Sequence, residues 1–222
     1  MTPARRLAAE GLGTLLLSVA VIGSGLMAAS LSIDRGLLLL TNSVATGAVL
    51  FVLIASLAEI SGAHFNPVVT LVAAVRREMR SGEALGYLLV QTAGACGGAI
   101  LAHAMFAAPL VSSYAAARSG PAQWLSEAVA SFGLVLVIRL GRGRPAVQLA
   151  ALVALYIVSA YWFTASTSFA NPALTLGRAL TGSFAGIRLE DVPGFVVAQV
   201  VGAGLATVVS GWLGATHSPL RR

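Results

Sequence analysis

Six stretches of the chain, at roughly residues 7–30, 36–58, 83–107, 122–140, 145–165 and 193–214, are apolar and close to the length that crosses a lipid bilayer. Only 10% of the 222 residues are charged, against roughly 25% in an ordinary soluble domain, and the mean hydropathy is +0.87. So few charges cannot cover the surface of a soluble fold of this size. The expected class is an all-α membrane protein. Six spans use about 120 residues and leave short connections, which excludes a large catalytic domain outside the membrane. A single cysteine, Cys96, excludes a disulfide scaffold, and the absence of low-complexity tracts excludes disorder.

The formal net charge of +6 does not point to nucleic acid. All fourteen basic residues are arginine. Most flank apolar runs: Arg5-Arg6, Arg76-Arg77 with Arg80, Arg139 with Arg142 and Arg144, and Arg221-Arg222. That is the bias that orients membrane proteins, with the arginine-rich loops on the cytoplasmic side. The first apolar run lacks a clear small-residue cleavage site and reads as a retained span.

Two further segments, 66–76 and 171–181, are too short to span, and each opens with Asn-Pro, a helix cap followed by proline at the first helical position. They read as half-helices. They also belong to an internal repeat. The first half runs from Glu10 through Asn66-Pro67-Val68 to Gly86-Tyr87, Gln91 and Gly94-Ala95. The second half runs from Glu127 through Asn171-Pro172-Ala173 to Gly194-Phe195, Gln199 and Gly202-Ala203. The expected organisation is one domain over 1–222, with repeat one at about 1–110 and repeat two at about 120–222. Three spans per half is an odd number, so the halves enter the membrane from opposite sides as an inverted repeat. With both termini cytoplasmic, ten arginines lie inside and Arg35, Arg118, Arg178 and Arg188 lie outside. The segment at Asn66 then enters from the cytoplasm and the one at Asn171 from outside.

A half-helix leaves its first amides unpaired and carries about +0.5 of a charge at its N-terminus. Two such ends meeting at mid-membrane make an electropositive region. Non-helical backbone is tolerated at that depth only where protein buries it or it lines a wet cavity, and the carbonyls of 61–65 and 167–170 would line one. The Asn66 and Asn171 amides would donate to a passing water or hydroxyl. The expected outcome is a narrow path for neutral hydrogen-bonding solutes that repels cations, hydronium included. One Asn-Pro alone is an ordinary turn or helix start; two at corresponding places in an inverted repeat are far more specific.

Over nearly its whole length the chain resembles the major intrinsic protein (aquaporin) family. Ser61-Gly62-Ala63-His64-Phe65-Asn66-Pro67-Val68 is similar to the family's first signature, with Val68 in place of the usual alanine, and Phe169-Ala170-Asn171-Pro172-Ala173 is similar to the second. The resemblance implies six helices in a right-handed bundle with two half-helices, assembled as a homotetramer with a pore in each subunit. It also implies that Glu10 and Glu127 accept hydrogen bonds from the re-entrant loops.

By the same resemblance, four positions set the outer constriction. Counted back from the two asparagines without gaps, three of them are Thr46, Ser159 and Ser168; the fourth, usually arginine, is Leu174. The expected filter is wide and uncharged, with neither ring nor guanidinium. It resembles bacterial aquaglyceroporin-like channels linked with arsenic handling, which implies water, glycerol and neutral metalloid hydroxides such as arsenite as passengers. Arg178, four residues after Leu174, lies on the same helix face. It either reaches back to the constriction or snorkels outward and pairs with Glu190 or Asp191.

The remaining polar residues read as support. His64 is expected to pin its loop, with a pH gate as the alternative. Glu59 is expected to tie the loop down, and Gln91 and Gln199 to link helices. Tyr161-Trp162-Phe163 reads as an interfacial aromatic belt, or as a ring over the outer vestibule. His103 and His217 have no ligand-like neighbours, so neither metal nor cofactor is expected. No paired nucleophile and base suggests an enzyme. The function expected is a passive channel in a bacterial inner membrane. The alternative is an ion-coupled secondary transporter, in which Glu10 and Glu127 would carry ions or protons.

Overall fold

The computed structural model describes residues 1–114 and 116–214; His217 and Arg221-Arg222 lie outside the described residues. Six long helices are α1 (Pro3–Leu31), α2 (Arg35–Ser61), α4 (Ser81–Met105), α5 (Pro121–Leu140), α6 (Ala146–Phe163) and α8 (Val192–Gly214), and two short ones are α3 (Pro67–Val75) and α7 (Pro172–Arg178). All six long helices are long and apolar enough to cross a membrane. The described residues are all-helical, as the apolar runs predict.

Local chemistry sets the ends. Pro3 stands at the first position of α1 and the Thr2 hydroxyl accepts from Arg5 N, so Arg5 and Arg6 fall inside the first helical turn. Asp34 caps α2 through Leu37 N at 2.7 Å. Gly62 takes φ +88° at the end of α2, which turns the chain back into the protein. α6 stops at Phe163, short of the expected 165, because Thr164 is extended. α7 is cut to seven residues and ends at Arg178.

Glycine allows the helices to pack backbone to backbone. A Cβ on Gly94 or Gly98 of α4 would collide with the Gly11 or Leu15 carbonyl of α1, and one on Gly202 of α8 with the Ala128 carbonyl of α5. Close approach of this kind supplies the van der Waals contact that holds helices together in lipid. α2 packs on α6 across the middle, where Leu50, Ile54, Val153 and Ile157 join one core cluster. Apolar side chains such as Val52, Leu85, Leu155 and Val208 remain exposed on the outside, where lipid would cover them.

A candidate pore built from two facing half-helices

Each re-entrant loop is held by one buried carboxylate. Glu10 Oε1 accepts from the Ser61 hydroxyl (2.7 Å) and His64 N (2.9 Å), and Oε2 accepts from Phe65 N (2.7 Å) and Gln91 Nε2 (2.8 Å). Glu127 does the same in the other half. It takes the Ser166 hydroxyl, Phe169 N (2.8 Å), Ala170 N (2.9 Å) and Gln199 Nε2 (2.6 Å). Neither carboxylate is exposed. Four donors apiece compensate the cost of removing such a group from water. Gln91 and Gln199 also reach Thr70 and Thr175, each at 2.9 Å, and so tie each half-helix to its neighbours. The His64 ring meets the Thr70 hydroxyl at 3.1 Å, while Glu59 is exposed and ties down nothing among the described residues.

The carboxylates hold a strained backbone. Ala63, Phe65, Ser168 and Ala170 lie at φ +47° to +49°, a conformation that costs a non-glycine residue about 1–2 kcal/mol. It persists because the loop amides are fixed from behind. The carbonyls so turned are used at once. Asn66 Nδ2 donates to Ala170 O at 2.7 Å, and Asn171 Nδ2 donates to Phe65 O at 2.8 Å. Each asparagine thus caps its own half-helix and is anchored to the opposite loop. An amide group carries two N–H donors, so each retains one beyond this cross-link.

Asn66 and Asn171 both line a cavity of about 260 Å³. Their neighbours behave differently. Val68 and Ala173 turn into core clusters and contribute backbone N–H to the asparagine caps, each at 3.0 Å, and it is Val69 that lines the cavity. Pro67 and Pro172 stand at the first positions of α3 and α7 and start the helices.

Beside α7 the residues that line the cavity differ from the four expected at an outer constriction. Thr46, Ser168 and Leu174 line the cavity, but Ser159 does not. Ser159 is exposed and its hydroxyl bonds back to Leu155 O at 2.9 Å. Val153, Ile157 and Tyr161 recur every four residues on the cavity side of α6, and a residue two places from Ile157 points away from it. The α6 residue that lines the cavity beside Thr46 is therefore Tyr161. It is 3% exposed, so it does not belong to an interfacial belt; its hydroxyl meets the Thr46 hydroxyl at 3.2 Å. Trp162 and Phe163 are exposed. The periodicity of α6 carried the signal that an ungapped count missed.

A guanidinium is present as well. Arg178 is 2% exposed and lines the cavity, with Nε donating to Ala185 O and its Cζ 3.3 Å from the centre of the Phe169 ring. It does not snorkel outward, and Glu190 and Asp191 pair with Arg188 instead. A ring and a cation thus line the cavity beside Thr46, Ser168 and Leu174, although none of the four positions counted from sequence supplies either. Ser168 Oγ is buried with no hydrogen-bond partner among the described residues.

At the other mouth Arg139 and Arg142 line the cavity. Both reach Glu78, in the turn between α3 and α4, which Arg76 also meets at 3.2 Å. Sequence reasoning passed over Glu78. The only hint was a single acid set among Arg76, Arg77 and Arg80.

Two half-helix tips cross-linked beside a cavity, inside six spans, make a membrane channel. The chain belongs to the major intrinsic protein family, whose model matches residues 1–143. It is 50% identical to Aquaglyceroporin AqpS of Rhizobium meliloti (strain 1021), over 98% of this chain and 94% of that protein. It is 30% identical to Aquaporin Z of Bradyrhizobium diazoefficiens, over 94% and 93% of the two chains. In fold it is similar to the X-ray structure of the aquaglyceroporin from Plasmodium falciparum, with a TM-score of 0.78 at 18% identity, over 93% of this chain and 95% of that one. As a member of this family the protein is a multi-pass membrane channel for water and small solutes, and not an enzyme.

Proposed function

We propose that the channel passes water, glycerol and neutral metalloid hydroxides such as arsenite while excluding ions and protons. The observation that carries this reading is the crossed pair of asparagine amides, each with one donor spent on the opposite loop and one left for the lumen. A neutral hydroxyl solute exchanges water for these donors and for the loop carbonyls. A cation meets two positive helix ends and the Arg178 guanidinium in a region of low dielectric. Tyr161, Thr46, Ser168, Leu174 and Arg178 form a collar, in which Arg178 stands in for the missing filter arginine. We place the collar at the outer mouth and both termini in the cytoplasm of a bacterial inner membrane, as the arginine distribution favours. The working assembly is a homotetramer, each subunit a single unit over 1–222 with its own pore between the two halves.

Glu10 and Glu127 are saturated by loop donors, which favours a channel over an ion-coupled transporter. Proteoliposome swelling with water, glycerol and arsenite, beside current recording, tests the reading. The expected result is near-linear flux of all three with no current. Saturable flux that needs an ion gradient would replace the channel with a transporter. Wild-type permeability in a well-expressed Arg178→Ala variant would remove Arg178 from the collar.

A further inference from the structure

We propose that Arg118, in the loop between α4 and α5, is a positioning residue for the collar and acts through Arg178. The inference rests on the reading of Arg178 as a collar residue. Three nitrogens of the Arg118 guanidinium hold three backbone carbonyls: Gly186 O at 2.9 Å, and Ser166 O and Phe184 O at 3.3 Å. Phe184 and Gly186 flank Ala185, whose carbonyl holds Arg178 Nε. Ser166 belongs to the re-entrant loop fixed by Glu127. Arg118 itself is set by Asp191, which accepts from its backbone N at 2.8 Å. Its Cζ lies 5.4 Å from the centre of the Phe169 ring, the ring that Arg178 also covers.

The charge arrangement explains why arginine stands here. Nε is the one guanidinium nitrogen of Arg178 with a hydrogen bond among the described residues, so its terminal nitrogens depend on a single carbonyl for their aim. That carbonyl sits in a loop with little regular structure between α7 and the short helix Leu189–Asp191. A planar fork with several fixed donors can staple three carbonyls at once, whereas a lysine ammonium presents one point charge. Without the staple, Ala185 O moves with its loop and Arg178 loses its fixed direction.

The test is stopped-flow light scattering on proteoliposomes, read as the ratio of glycerol to water permeability. That ratio does not depend on how many channels fold. A purely structural role would lower both permeabilities together and leave the ratio alone. The variants are Arg178→Ala, Arg118→Ala, Arg118→Lys and the double alanine variant. Arg178→Ala widens the collar and raises the ratio several-fold. Arg118→Ala raises it in the same direction, Arg118→Lys restores part of the wild-type value, and the double variant matches Arg178→Ala. Where Arg118→Ala yields too little protein, Arg118→Lys carries the test, since it keeps the charge and loses the fork. A wild-type ratio in both Arg118 variants, or a double variant whose shift is the product of the two single shifts, overturns the proposal while leaving the collar reading intact. An unchanged ratio in Arg178→Ala overturns the collar reading, and this inference with it.

Discussion

The midplane and the mouths of this channel are built on opposite principles. At the midplane the two halves make matching contacts: a buried glutamate on two loop amides, a serine and a glutamine, then an asparagine that caps its own half-helix and crosses to the other loop. At the mouths the match ends. One mouth has a tyrosine, a threonine and a guanidinium lodged against Phe169, and the other has a single carboxylate shared by three arginines. On the function proposed above, the duplicated part is the barrier common to all neutral solutes, and the unmatched parts are where solutes are told apart.

Breaking the matched part has the largest effect. Glu10→Ala and Glu127→Ala each orphan four donors that a buried carboxylate now satisfies, at about 1–3 kcal/mol per donor. Both variants are expected to fail to give a monodisperse peak on size exclusion in detergent, and to fail alike. Normal assembly of one and loss of the other would show that the two halves are not mechanically equivalent.

The unmatched part responds in selectivity before stability. Tyr161→Ala removes a ring that has lumen on one side, so its cost stays near the low end for aromatic truncation, about 3 kcal/mol. The glycerol-to-water permeability ratio is expected to rise several-fold. Ser159→Ala, on the exposed face of the same helix, is the control and leaves both melting and the ratio unchanged. Equal effects from the two substitutions would return Ser159 to the collar and undo the assignment of Tyr161.

What the sequence revealed follows the same division. Asn66-Pro67 and Asn171-Pro172 announce half-helices because capping and proline placement are local chemistry, and the repeat of Glu10 and Gln91 by Glu127 and Gln199 is visible as order along the chain. Ser159 was misplaced because spacing counted through a helix into extended chain does not preserve which face a residue occupies; the cavity side of α6 runs Val153, Ile157, Tyr161. Arg178 left two readings open from sequence, because its direction depends on a carbonyl seven residues away. Arg118 with Gly186, and Glu78 with Arg142, were beyond reach: 68 and 64 residues separate these partners, and no local pattern links them.

The smallest effect is expected at Glu78. Burial alone would push this carboxyl up, but hydrogen bonds from Arg142 and Arg139 outweigh it and hold the group below its ordinary value of 4.5. A carboxyl with a lower pKa in the folded state stabilises the fold above its unfolded pKa and loses that contribution as pH falls through the folded value. The melting temperature in detergent should therefore hold from neutral pH to about 4.5 and decline below it. Glu78→Gln should flatten part of that acid limb and cost no more than about 1 kcal/mol at pH 7, because the cluster is open to water and Arg142 is 46% exposed. Its glycerol-to-water ratio should stay at the wild-type value, since the turn holds the arginines at the mouth and does not narrow the collar. A ratio shift as large as that of Tyr161→Ala would mean that discrimination is shared between both mouths, and the collar would lose its special standing.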